Sequence, residues 1–135
     1  MEMVKENVIQ EKSYRFAVRM VKLYQYLINE KKSFELAKQV LRSGTSIGAN
    51  VEEALGGQSR KDFIAKISIA YKEARETHYW IRLLNDTGYL EPEQADSLLA
   101  DLNEILRITA SILKTSKDKL KIKNEKWRMK NYPYQ

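Results

Sequence analysis

Cations and aromatic rings alternate at the C-terminal end of this 135-residue chain: Lys114, Lys117, Lys119, Lys121, Lys123, Lys126, Arg128 and Lys130 are interleaved with Trp127, Tyr132 and Tyr134. Cations neutralise phosphates and flat rings stack on unpaired bases, so the pattern suits a nucleic-acid strand, held with an affinity that falls as salt rises. Only Asp118 and Glu125 oppose those eight cations. The segment from residue 114 therefore carries +6, the formal charge of the whole chain, while residues 1–113 balance sixteen basic against sixteen acidic groups. Two other uses of the segment compete with this one. Leu120, Ile122 and Trp127 give too narrow an apolar face for firm membrane anchoring. Docking of Trp127 and the tyrosines on a neighbouring copy would lock an assembly instead. Arg60 and Lys61 either extend the basic rim or serve ordinary surface solubility.

Catalytic chemistry finds little to work with. The chain has one histidine and no cysteine. His78 falls seven residues after Tyr71, on the shoulder of a helical stripe, where a packed or interfacial imidazole is the plain reading. Di-iron bundles need Glu-x-x-His pairs, and none occurs. Glu73 and Glu76 share one helix face, with Glu52 and Glu53 on another helix; facing carboxylates can hold a cation or share a proton. Lys72, Arg75 and Arg82 lie close enough in sequence to make a salt-bridge belt of them instead. No phosphate loop, Ser-x-x-Lys or dinucleotide fingerprint is present. The expectation is a protein without enzymatic activity, metal or cofactor.

These residues must be positioned by helices. Phe63, Ile67, Ala70, Ala74, Thr77, Ile81 and Leu84 recur at steps of three and four, as one helical stripe does. Ala37, Leu41, Gly44, Gly48, Val51 and Leu55 repeat likewise in the preceding segment. Upstream, Ile9, Ser13, Phe16, Met20, Leu23 and Leu27 make the seam of a helix from near Val8 to Asn29. Downstream, Leu98, Leu102, Ile105, Thr109 and Ile112 form a stripe in a helix from Pro92 to at least Leu113, with a second row at Leu99, Leu106, Leu113 and Leu120. Ser33 and Ser59 are suited to N-caps. Gly56, Gly57 and Gly88 suit the left-handed conformation that ends helices. Short links between four amphipathic helices predict an all-α, antiparallel, up-down-up-down four-helix bundle, residues 1–118, followed by a basic aromatic tail, 119–135.

Gly44-x-x-x-Gly48 interrupts a helix at a cost of about 1 kcal/mol per glycine relative to alanine. Close packing explains it: another helix or a large side chain crosses there. Apolar residues also exceed what one subunit's core stripes require. Trp80, Leu83, Leu99, Leu106 and Leu113 are the expected interface between copies, since a surplus apolar surface marks a partner site and symmetric self-association is its natural use.

Three ordered motifs carry a resemblance: Arg42-Ser-Gly-Thr-Ser-Ile-Gly-Ala-Asn-Val-Glu-Glu-Ala54, Ser59-Arg-Lys-Asp-Phe63, and Ala70-x-Lys-Glu-Ala-x-Glu-Thr-x-Tyr-Trp80. Over residues 36–113 the chain resembles the small bacterial four-helix-bundle proteins called 23S rRNA intervening-sequence proteins. Glu53-Ala54-Leu55-Gly56 departs from the family pattern, which has a glycine one position earlier; that bears only on the helix end. The resemblance implies a homo-oligomeric ring, a pentamer, without established enzymatic activity. A related branch serves diversity-generating retroelements, binding a reverse transcriptase and nucleic acid. Two readings follow: an accessory protein that binds nucleic acid, RNA ahead of DNA, or a scaffold docking a partner such as a reverse transcriptase, with the tail used in assembly. No apolar run reaches the ~20 residues of a membrane span, and the first residues lack a signal peptide's apolar segment; a cytoplasmic protein is expected.

Overall fold

The computed structural model describes residues 2–131. Four helices and no strands occur among them: α1 (Glu2–Asn29), α2 (Phe34–Leu55), α3 (Arg60–Asp86) and α4 (Pro92–Asn131). Each helix packs on two others, α1 on α2, α2 on α3, α3 on α4 and α4 back on α1. That circuit closes a four-helix bundle around one core.

The buried lines follow the sequence periodicity. In α1 the six seam residues from Ile9 to Leu27 are buried, and in α3 all seven from Phe63 to Leu84 are. In α4 the stripe extends at both ends, to Ala95 and Ser116. In α2 the stripe is wider than expected. Val40, Ser43, Ile47 and Ala54 are buried, while Leu41 and Leu55 are only half-buried. Each large apolar side chain fully removed from water contributes roughly 1.5–3 kcal/mol, so Phe16, Met20, Leu27, Ile47, Ile67, Ile81, Leu84 and Leu102 dominate the core.

The two buried glycines sit where α1 crosses α2. A Cβ at Gly44 would overlap Met20 Cγ and lie 2.6 Å from its Sδ. At Gly48 it would lie 3.2 Å from the Ser13 carbonyl oxygen. The small-residue patch thus admits one large side chain and one stretch of backbone, as its spacing predicts.

Several helix ends differ from the sequence expectation. Ser59 caps α3, its hydroxyl accepting from the Asp62 amide at 3.1 Å. Ser33 makes no side-chain cap bond, because its backbone (φ −98, ψ 81) does not aim the hydroxyl at the free amides. The end of α1 is closed instead through Lys32 at φ 56 and the Ser33 amide donating to the Leu27 carbonyl at 3.0 Å. Gly56 is not left-handed: at φ −90 its amide donates to Glu52, and Gly57 donates to Ala54, tightening the last turn. Gly88, at φ +86, does adopt the left-handed form. Tyr89 and Leu90 then donate back to the Leu84 carbonyl. Both terminal helices are longer than expected. α1 begins at Glu2, where the Lys5 ammonium donates to Ser111 at 2.8 Å. α4 runs unbroken to Asn131, into the segment read as a tail, because Lys, Leu, Glu, Arg and Met are good helix formers and no Gly or Pro intervenes over that stretch.

Candidate nucleic-acid interface

The last turns of α4 leave the body of the bundle. Ser116 is its last buried residue, Leu120 is half-buried, and Lys121 to Asn131 are all exposed. Helical spacing sorts the cations into two rows. Lys114, Lys117, Lys121 and Arg128 recur at three, four and seven residues, and Lys119, Lys123, Lys126 and Lys130 at four, three and four. Shallow grooves bear this out: one is bounded by Lys117, Leu120, Lys121, Asn124, Glu125 and Arg128, another by Lys119, Ile122, Lys123 and Lys126. Leu120 and Trp127 continue the buried line of Ile112 and Ser116 between the rows, spaced four, four and seven. The arm is therefore an exposed helix with two cationic flanks, about 24 Å long from Lys114 to Lys130 at 1.5 Å per residue. Tyr132 and Tyr134, the remaining rings of the sequence pattern, lie outside the described residues.

Arg60 and Lys61 stand at the same end of the bundle. Gln10 reaches Glu52 at 3.2 Å and Lys66 pairs with Glu53 at 3.1 Å, which brings the α2–α3 turn beside the start of α1, where Lys5 holds Ser111. Both residues are exposed, with the Arg60 guanidinium 5.5 Å from the Phe63 ring centre. The arm and this turn thus share one rim.

Elsewhere, opposite charges face each other. Lys12 pairs with Glu104 at 2.6 Å and Arg19 with Asp101 at 2.5 Å across α1 and α4. Across α2 and α3, Glu73 and Glu76 both pair with Arg42, and Glu76 also accepts from Trp80 Nε1 at 2.9 Å. Beneath them, Thr77 Oγ1 and Ser43 Oγ are 2.9 Å apart in the core. The carboxylates therefore belong to salt bridges, as the sequence suggests, but the bridges run between helices, and the partner of Glu73 and Glu76 is Arg42 of α2 rather than the local Lys72, Arg75 or Arg82. The latter two arginines stand on the α4 side of α3, with His78 between them. Among the described residues, no group of three or more metal-ligating side chains is placed to hold an ion, and no helix is long and apolar enough to cross a membrane.

The residues expected at an interface between copies are half-buried. Trp80, Leu99, Leu106 and Leu113 pack against the core, and Leu83 is partly covered. Exposed large apolar side chains include Tyr14, Val18 and Val21 on α1, Phe34 on α2, Ile69 and Tyr79 on α3, and Ile122, Trp127 and Met129 on the arm. Sequence reasoning passed over Arg75 and Arg82 as a pair. Their seven-residue spacing was the available signal, but nothing in one helix says which neighbour its flank will meet.

Two comparisons place the chain among known proteins. A family model described as 23S rRNA-intervening sequence protein matches residues 5–111. A crystal structure of a protein of unknown function from the S23 ribosomal protein family of Bacteroides thetaiotaomicron is 55% identical. It superposes with a TM-score of 0.80 over 82% of this chain and 98% of that one. No curated protein matches. The cationic arm, Lys114 to Lys130, lies wholly beyond the last residue that the family model matches.

Proposed function

Because the chain belongs to the 23S rRNA-intervening sequence protein family, we propose that it is a non-enzymatic accessory protein that binds nucleic acid through the cationic extension of α4. The observation that carries this reading is the concentration of the whole net charge on one exposed helical arm beside Arg60 and Lys61. Single-strand binders combine such a charged track with rings for base stacking, and Trp127 supplies one within the arm. The family's description, which names ribosomal RNA, puts RNA ahead of DNA.

The supporting frame is an antiparallel up-down-up-down bundle. Its support is the run of cross-helix pairs, Lys5–Ser111, Lys12–Glu104 and Arg19–Asp101, whose numbers rise on α1 as they fall on α4. Assembly of copies into a ring, a pentamer by resemblance to the family, would gather several arms and raise the effective affinity without new contacts per subunit. The exposed Tyr14, Val18 and Val21 favour such association. A second reading, a scaffold that docks a protein such as a reverse transcriptase, draws on the exposed Ile122, Trp127 and Met129 of the arm.

Truncation after Leu113 separates the two. Under the first reading the shortened protein keeps its number of subunits in solution and loses salt-sensitive affinity for RNA. Under the second it falls to smaller species, and the full chain binds RNA weakly throughout. Native mass measurement at micromolar concentration tests assembly itself, which a sole 15.8 kDa species would refute.

A further inference from the structure

Between α3 and α4, away from the ion-pair belts, Tyr71, Arg75, His78, Arg82 and Leu106 bound an open pocket of about 380 Å³. Its volume falls in the small-molecule range. Arg75, His78 and Arg82 follow one another at three and four residues, so they stack along one flank of α3. The Asn103 side chain of α4 lies beside the imidazole. The Arg82 Nε–H is turned onto the His78 carbonyl at 3.4 Å.

No carboxylate answers these cations. Neither arginine has an ion-pair partner among the described residues: Glu73 and Glu76 are turned toward Arg42 on α2, and Asp86, four residues after Arg82 on α3, forms no ion pair with it. Two guanidiniums held beside one imidazole repel, and an anion is the ligand that relieves them. Arginine favours phosphate, which its planar fork meets with two parallel N–H donors. The walls are not polar throughout: Tyr71 offers a ring and Leu106 an apolar surface, both half-buried. Phosphate donors next to a ring and an apolar floor are the complement of a nucleotide.

We propose that this pocket is a nucleotide-phosphate site, with Arg75 and Arg82 holding the phosphate and Tyr71 lying against the base. It extends the nucleic-acid reading but does not depend on the arm. Lys117 lies eleven residues, or about three turns, beyond Leu106 and returns to the same side of α4. A strand seated in the pocket is therefore led toward Lys117, about 16 Å further along the helix, and beyond it to Lys121 and Arg128.

His78 is the sole histidine of the chain, so its imidazole C–H signals in proton NMR report on this pocket alone. The experiment titrates full-length protein with AMP, with inorganic phosphate and with a single-stranded RNA oligonucleotide. Two further proteins are compared: Arg75→Gln/Arg82→Gln, and a variant with Lys119, Lys121, Lys123, Lys126, Arg128 and Lys130 changed to Gln. The expected result is a saturable His78 shift with AMP, weakened about tenfold or more in the arginine variant and retained in the arm variant. A larger response to the oligonucleotide than to AMP assigns the site to a strand; the reverse assigns it to a free nucleotide. Either response supports the site. An unmoved His78 signal with all three ligands overturns it, as does equal binding by the arginine variant. If the oligonucleotide binds and none of the three ligands moves His78, the arm reading stands and the pocket falls. If AMP moves His78 and no RNA binds, the pocket stands and the arm reading falls.

Discussion

Replacing Gly44 by alanine sets two effects of known size against each other. In an exposed helix the change would stabilise by about 1 kcal/mol. Here the new methyl would land on Met20 Cγ and 2.6 Å from Sδ, and Met20 is fully buried. Forcing a carbon into so close a contact costs about 1–3 kcal/mol, toward the upper end where the displaced side chain has no open space to enter. The expected outcome is a net loss of about 1–2 kcal/mol, read by urea unfolding followed by circular dichroism at fixed protein concentration. Met20→Ala alone should cost about 2–5 kcal/mol through the cavity it leaves. Combined, the two should cost less than their sum by at least about 1 kcal/mol, since the clash disappears and the methyl fills part of the void. A Gly44→Ala protein as stable as the parent, or strict additivity in the double variant, would refute the reasoning.

Other positions give equally direct tests. Thr77→Val leaves the buried Ser43 hydroxyl without its 2.9 Å partner and should cost about 1–2 kcal/mol, partly recovered by adding Ser43→Ala. The Ser116 hydroxyl is buried with no hydrogen-bond partner among the described residues, so Ser116→Ala should stabilise by about 1 kcal/mol, seen as a higher Tm. Burial first, then Arg82 and more weakly Arg75, hold the His78 pKa below 6.5, against the Asn103 side chain, which raises it. Folding therefore disfavours the charged imidazole. The stability this neutral His78 contributes is present above pH 6.5 and is lost as pH falls through its folded-state pKa. NMR titration should place that midpoint below 6.5, and one at or above 6.5 would contradict the placement of the ring.

The seams of α1 and α3 could be read residue by residue, because a period of 3.6 alone decides which side of an amphipathic helix is buried. The Gly44–Gly48 patch was legible as a close crossing, since only packing offsets the cost of glycine in a helix. What crosses it was not, for Met20 and Ser13 lie more than twenty residues away. Helix ends were harder. Ser59 and Ser33 are the same residue type at the same kind of boundary, and only the backbone at each decides which one caps. The arm's charge was visible because its lysines are neighbours in sequence. Its helicity was passed over because a run of like charge reads as solvated chain, although its residues are good helix formers. The pocket around His78 stayed hidden for another reason: whether Arg75 meets a carboxylate or a cavity depends on which flank of α3 turns toward α2 and which toward α4.

The claim on which the functional account rests is that the cations of the α4 extension hold phosphates. The direct measurement is affinity for a single-stranded RNA as a function of salt. It compares the full chain with the variant carrying Gln at Lys119, Lys121, Lys123, Lys126, Arg128 and Lys130, changes that preserve helix propensity. Each cation in contact with a phosphate contributes about 0.7 to the slope of log affinity against log salt. The account predicts a steep slope for the full chain, reduced in the variant by up to about 4 together with a large loss of affinity at low salt. Equal slopes and equal affinities would contradict it.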